Sequence, residues 1–383
     1  MGAIERVCSS QHFILGPEVE ALEGEMAALA GTAEAVGCSS GTDALWLALL
    51  AAGIGPGDAV ITTPFSFFSS ASAIVRIGAR PIFADVDPRT LNLSATSVKA
   101  RLRSSPSLKT KAVLPVHLYG QCADMTAFQE ISQEFHLPVV EDAAQAAGAT
   151  WRGQPAGSFG VAAAFSFYPT KNLNAYGDAG IVTTSDSDFA ARMRRLRNHG
   201  SSKRYHHEEL GWNARMDEIQ AAILRVKVPH IQRWNELRRE RAATYDHLFA
   251  DAGLVRPGKS ETRGGIQTLE VLPEAHHVFH QYVIRAARRD ELRAFLGGKN
   301  IGTEIYYPIP LHLQPCFAYL GHREGDFPVS ESAAREVLAL PIFPELTEDE
   351  QQYVVASIKD FYLQGWEEGN SSRSGNQFPH RIL

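Results

Sequence analysis

Between Pro17 and Ala30 the apolar residues Val19, Leu22, Met26 and Leu29 recur at helical spacing, with proline in the first turn and Gly31 just beyond the end. That pattern predicts a helix over the segment. Downstream, AEAVG, TDALWLALLAAG, AVITT, FFSSASAIVRIG, RPIFADV, KAVLPVHLYG, MTAFQEISQEF and LPVVEDAA follow in turn, short β-rich apolar runs alternating with helical patterns. Such alternation predicts βαβ units, an α/β fold whose mostly parallel sheet is flanked by helices. A long helix is expected from near Met216 through QAAILRVKVPHIQRWNELRRERAATYDHLF, and beyond it HVFHQYVIRA, RDELRAFL, GTEIYYP and TEDEQQYVVASIKDFYLQ read as a smaller α/β unit. We expect a large domain over 1–245 with an N-terminal arm at 1–15, a small domain over 246–365, and a polar, flexible tail over 366–383.

Composition narrows the classes. A chain of 383 residues, 44% hydrophobic, suits two domains with sizeable cores. Its net charge of −6 argues against nucleic acid or an anionic membrane as partner. Cys8, Cys38, Cys122 and Cys316 are scattered, with neither a zinc spacing nor a disulfide framework, and read as reduced thiols. No apolar run reaches membrane length, and MGAIERVCSSQHF lacks the pattern of a secretory signal, so the cytoplasm is the expected compartment.

In α/β sheets ligands sit beyond the carboxyl ends of strands, which directs attention to three loops. GCSSGTDAL, residues 37–45, joins a strand to a helix, and its glycines, hydroxyls and helix N–H groups suit a phosphate. The same stretch is equally a capped glycine turn, and it also fits G-x-S-x-G, the elbow that presents a nucleophilic serine, here Ser39. LPVVEDAAQAAGA ends a strand in Glu141 and Asp142; Asp142 is either an N-cap or a buried carboxylate in need of a cation. AAAFSFYPTKNLNAYGDAG, residues 162–180, places Lys171 just beyond an apolar strand, where it is either solvated or poised for Schiff-base chemistry.

Taken together, a phosphate cradle, a buried acid and a strand-end lysine are what pyridoxal 5'-phosphate requires. An aromatic face is on offer from Phe65, Phe67 or Phe68 in TTPFSFFSSASAI. GIGPGD, residues 53–58, joins a helix to a strand and is read as a plain turn; His206, His207, His276, His277 and His280 are read as surface or hydrogen-bonding groups, with no metal site expected; and ARMRRLRNHG is read as a solvated helix face.

The motifs, in their order, resemble the DegT-like nucleotide-sugar aminotransferases, pyridoxal-phosphate enzymes of fold type I. The resemblance runs from FILGPEVEALE through SGTDAL, GARPIFADVD, VHLYGQCADM, EDAAQAAGA, FSFYPTKN, GDAG and LGWNARMDEIQAAIL to YPIPLHLQ and LALPIFPEL. It implies a seven-stranded type of sheet in the large domain. It implies that Lys171 bonds the cofactor and shuttles the proton, that Asp142 partners the pyridine nitrogen, that Phe67 stacks on the ring and that Gln145 lies by the phenolic oxygen. Phosphate contacts would come from Gly41, Thr42 and Ser166, and from Asn213 of a neighbouring subunit, making a homodimer necessary to a complete site. Arg215, Tyr307 and His312 would border the sugar. Asn174, where the family has glycine, and Tyr306, where histidine is frequent, depart from its pattern.

The activity implied is transfer of an amino group from L-glutamate or L-glutamine to a keto sugar on UDP or dTDP. F-S-F-Y-P-T-K-N leans towards C3 over C4. The alternatives are a serine enzyme using Ser39 and a non-catalytic cofactor-binding regulator.

Overall fold

The computed structural model describes residues 1–104, 109–255 and 265–371. A seven-stranded sheet organises the N-terminal two thirds. Its spatial order is Glu34–Cys38, Gly180–Thr184, Ala162–Ser166, Val140–Asp142, Thr110–Val113, Ala59–Thr62 and Arg80–Phe83, the two halves being joined by parallel bridges Val113 to Val139 and Val116 to Asp142. All neighbours pair in parallel except across Gly180–Thr184, which runs antiparallel to both flanking strands. The strands are apolar throughout because helices cover both faces, so successive residues bury in different cores. Val60, Ala112, Ala164 and Val182 belong to the core beneath the helix Gly41–Ala51, whereas Ile61, Val113, Ala163 and Ile181 belong to cores on the other side.

The predicted first helix is present as Pro17–Ala30, ended by Gly31 in the left-handed conformation. Its N-terminus has no side-chain cap of its own; the carboxylate of Glu218 accepts the N–H groups of Gly16 (2.6 Å), Glu18 (2.9 Å) and Val19 (3.0 Å) instead. A distant acid thus satisfies the helix's orphan donors and complements its dipole. The expected N-terminal arm contains a helix of its own, Gly2–Ser10, packed on Glu218–Lys227.

The long helix expected from Met216 is not continuous. It is Glu218–Lys227, a 3₁₀ turn Val228–His230, and Ile231–Asp251. Pro229 is the cause, since it offers no N–H and its ring clashes with the preceding turn. The last of these helices packs Ile231 into the first region and Ala242, Tyr245 and Phe249 into a C-terminal core. That core is built on an antiparallel sheet, Ile266–Thr268, Tyr282–Ala286 and Val337–Leu340, and on the helices Arg289–Gly298 and Glu348–Ser371. The last helix enters the stretch read as a tail, of which 372–383 lie outside the described residues. No helix among the described residues is long and apolar enough to cross a membrane.

Candidate active site

The carboxyl ends of the strands open into a cleft of about 670 Å³, closed on its far side by residues 304–307 of the C-terminal region. Gly41, Thr42, Phe67, Asp142, Gln145, Ser166, Lys171 and Tyr307 all line it.

At one end the helix Gly41–Ala51 begins, capped by Ser40, whose Oγ accepts the N–H of Asp43 (3.1 Å). Thr42 Oγ1 lies 2.6 Å from Ser69 Oγ. A Cβ on Gly41 would come within 2.5 Å of Ser166 Cβ, and one on Gly180 within 2.3 Å of the Ser40 carbonyl carbon. Only hydrogen fits at these two positions, so the helix start is pressed against two strand ends with its free N–H groups facing the cleft. This is an anion cradle.

At the other end lies Asp142, 4% exposed. Burial raises its pKa above the ordinary carboxylate value, against the Ser70 hydroxyl, the Ala144 N–H and the charges of Lys171 and His117, which favour the ionised form. Ser70 Oγ donates to Oδ2 (2.7 Å) and Ala144 N to Oδ1 (3.2 Å). Glu141, the preceding residue, points to the opposite face. Its carboxylate receives His117 Nε2 (2.9 Å) and the N–H groups of Gly157 (2.9 Å), Phe159 (2.8 Å) and Gly160 (2.9 Å).

Lys171 follows the strand Ala162–Ser166 in a turn closed by its own N–H on Tyr168 O (2.8 Å). Among the described residues its ammonium has no hydrogen-bond or ion-pair partner. Burial draws its pKa down to about 8 against the opposing pull of Asp142. Gln145 is fixed at both ends, its Oε1 accepting Tyr119 N (2.6 Å) and its Nε2 donating to Tyr307 Oη (3.0 Å). Burial pushes the Tyr307 phenol upwards, so it stays a hydrogen-bond donor.

The three phenylalanines separate. Phe67 is 56% exposed and lines the cleft, Phe65 is buried in the core, and Phe68 packs on Phe317 with centroids 5.5 Å apart. Three expected residues are not brought in. Asn213 is exposed outside the cleft, Arg215 reaches Asn198 Oδ1 (3.4 Å), and the side chain of His312 is wholly buried against Glu331 (3.1 Å) and Phe327. The 3₁₀ turn Leu311–Leu313 places the His312 ring against Phe327, at an apolar cluster outside the cleft lining. Ser39 donates to Asp43 Oδ2 (2.5 Å) rather than to a histidine. Arg197, read as solvated, is buried against Glu23 and the Gly37 carbonyl.

The residues that sequence reasoning passed over are Ser66, Ser70 and His280. His280, read as a surface or hydrogen-bonding group, lines the cleft with its Nδ1 buried and without a partner among the described residues, and burial together with Lys171 holds it well below the usual histidine pKa. The serines lie in the quoted SFFSSASAI run, but nothing there separates them from their hydroxyl neighbours. Among the described residues no cluster of His, Cys, Asp and Glu is placed to hold a metal ion.

The profile of the DegT/DnrJ/EryC1/StrS aminotransferase family matches residues 1–359. The chain belongs to this family. DegT-family aminotransferases depend on pyridoxal phosphate. Over 365 residues, 94% of each chain, it is 50% identical to a "Pleiotropic regulatory protein" of Geobacillus stearothermophilus. It is 44% identical, over 93% of its own length and 92% of the relative's, to a UDP-N-acetyl-3-dehydro-alpha-D-glucosamine 3-aminotransferase of Acidithiobacillus ferrooxidans. Among solved structures it is similar to Streptomyces venezuelae DesV in complex with a ketimine intermediate, at 42% identity and TM-score 0.88, covering 94% of this chain and 93% of that one. The DegT family thus accounts for the fold type I architecture and places the chain among aminotransferases.

Proposed function

We propose that the enzyme moves an amino group from L-glutamate or L-glutamine to the keto carbon of a hexose carried on a nucleoside diphosphate, at C3 in preference to C4. The observation that carries this is the convergence of Lys171 and Asp142 on one cleft whose opposite end is a helix N-terminus. The C3 preference draws support from the relative named for 3-amino transfer.

The cleft fits pyridoxal phosphate. An anion cradle that a Cβ at Gly41 would fill, an aromatic ring, an acid and a lysine that has no hydrogen-bond or ion-pair partner among the described residues match the group's parts. When bound, the cofactor supplies an aldehyde carbon and an electron-accepting ring. Gly41, Thr42 and Ser166 bind its phosphate, and Phe67 covers one face. Asp142 holds a proton at the ring nitrogen. Gln145, oriented by Tyr119, presents its amide beside the phenolic oxygen. Lys171, with a pKa of about 8, both gives and takes a proton near neutral pH. Asn213 and Arg215 act in the cleft of a second copy, which makes the homodimer the working unit. The division between domains falls at about residue 245, and the enzyme works in the cytoplasm.

The test is the absorption spectrum of the purified protein before and after L-glutamate. A yellow band that bleaches with the amino donor, and is absent in Lys171→Ala, is expected. No band after addition of pyridoxal phosphate would end the reading, and labelling of Ser39 by a serine-hydrolase probe would then revive its rival. A band that bleaches without product from any keto sugar would favour a regulator.

A further inference from the structure

Asp142 is buried in a pocket that disfavours its charge, yet as partner of a protonated ring nitrogen it must be charged. The structure supplies the means in the turn and helix start that follow the strand Ala59–Thr62. Ser70, 0% exposed, donates its hydroxyl to Asp142 Oδ2 at 2.7 Å. Because that hydrogen is committed, the 2.9 Å contact between Ser70 Oγ and Ser66 Oγ is a donation from Ser66. Ser66, 3% exposed, itself lines the cleft. Two hydroxyls therefore run in series, each polarising the next, and end on the carboxylate. Both belong to the turn and first helical residues around Ser69–Arg76, so their geometry is set by backbone.

We propose that Ser70, oriented by Ser66, is the positioning residue that keeps Asp142 ionised and aimed at the cofactor. This rests on the reading above for its purpose but not for its geometry. The other groups facing Asp142 are the Ala144 N–H, Lys171 from the loop after Ala162–Ser166, His117 from the stretch after Thr110–Val113 and Tyr307 from the C-terminal region; Glu141, on its own strand, points to the opposite face. Lys171 cannot take over the task, since bonding to the cofactor removes its free ammonium. His117 is committed to Glu141, and Tyr307, held by Gln145, makes no hydrogen bond to Asp142. The Ala144 N–H holds the other carboxylate oxygen at 3.2 Å, and among the described residues the side chain that donates to Asp142 is Ser70.

Loss of a hydrogen bond to a charged group should weaken cofactor retention in Ser70→Ala by about tenfold or more and move its acid limb up by about one pH unit. Ser70→Thr, which keeps the hydroxyl, should restore both, and Ser66→Ala should shift them the same way by less. A second measurement needs no cofactor. In urea unfolding of the cofactor-free protein, Ser70→Ala should be less stable than the parent at pH 7, and the gap should close as the pH falls and Asp142 takes a proton. A gap of the same size at pH 7 and at low pH would mean that Ser70 merely packs, and overturns the proposal. If the parent shows no yellow band with added pyridoxal phosphate, it is the functional reading that fails, and the unfolding comparison still decides for or against Ser70.

Discussion

Glu141 and Asp142 are neighbours on one strand, both carboxylates and both buried, yet they face different parts of the molecule and meet opposite fates. On its face Glu141 is saturated, with a histidine and three backbone N–H groups converging on it within 2.9 Å. Asp142 receives two donors and turns its remaining capacity towards a cleft that also contains Lys171, whose ammonium has no partner among the described residues. The difference separates architecture from chemistry. A buried charge with every lone pair engaged locks loops together; one left short beside a cavity stores a pKa shift that a ligand can use.

The contrast is broken most sharply on the cleft side. Lys171→Ala should lower turnover by about 10³-fold or more, since the acid–base group and the cofactor bond go together. In the cofactor-free protein the fold should be retained, since among the described residues the Lys171 ammonium has no hydrogen-bond or ion-pair partner to lose and its removal relieves a burial cost. Turnover within tenfold of the parent would remove Lys171 from the chemistry. Asp142→Asn should likewise cost about 10²-fold or more in turnover while changing unfolding free energy by about 1 kcal/mol at most, as it deletes a penalised charge. On the other face the ranking reverses. Glu141→Gln leaves an amide N–H opposed to backbone donors, and should cost about 2–4 kcal/mol in urea unfolding. If Glu141→Gln is as stable as the parent, the division between the two faces is wrong.

Much of this was legible in the sequence, for physical reasons. Strands buried on both faces read as continuous apolar runs, and the loops at their ends carry residues such as Asp142 and Lys171 that have no business beside apolar surface unless they are used. The break at Pro229 was legible too, in the rule that proline interrupts a helix, but the apolar periodicity on either side of it masks the signal. What no local pattern shows is which hydroxyl of a serine-rich turn meets a residue 72 positions away, as Ser70 meets Asp142. Nor does it show that Glu218 caps a helix 200 positions earlier. Such contacts are properties of the packed sheet. The packing of the His312 ring against Phe327 is likewise invisible in motif order.

The Glu331 carboxylate beside His312 extends the comparison at a smaller scale, as a second saturated acid. Glu331 accepts from His312 Nε2 and also from the N–H groups of Gly325 and Phe327. Replacing His312 with Leu removes one donor of several, so the cost should be about 1–3 kcal/mol in unfolding, with turnover within twofold of the parent. A large loss of turnover with unchanged stability would place His312 in the site.

The smallest expected effect is the most direct reading of the cleft's electrostatics, because it asks what Lys171 does to the fold when nothing is bound. Its folded pKa of about 8 lies below the ordinary value of 10.5, so the folded protein holds this proton less tightly than the unfolded chain does. Below pH 8 both states carry the charge, and the cost of burying it is fully present. Between pH 8 and 10.5 the unfolded chain binds more protons, so stability attributable to this group rises with pH; above that range neither state is charged and the penalty is gone. The attraction of Asp142 is already contained in the value of about 8. Lys171→Met has no proton to lose. In the cofactor-free protein it should melt a few degrees above the parent at pH 7, and that advantage should shrink steadily from pH 8 upwards. A difference that stays constant over this range would show Lys171 titrating as a solvated surface lysine, and would take away the ground on which the two faces of the strand were distinguished.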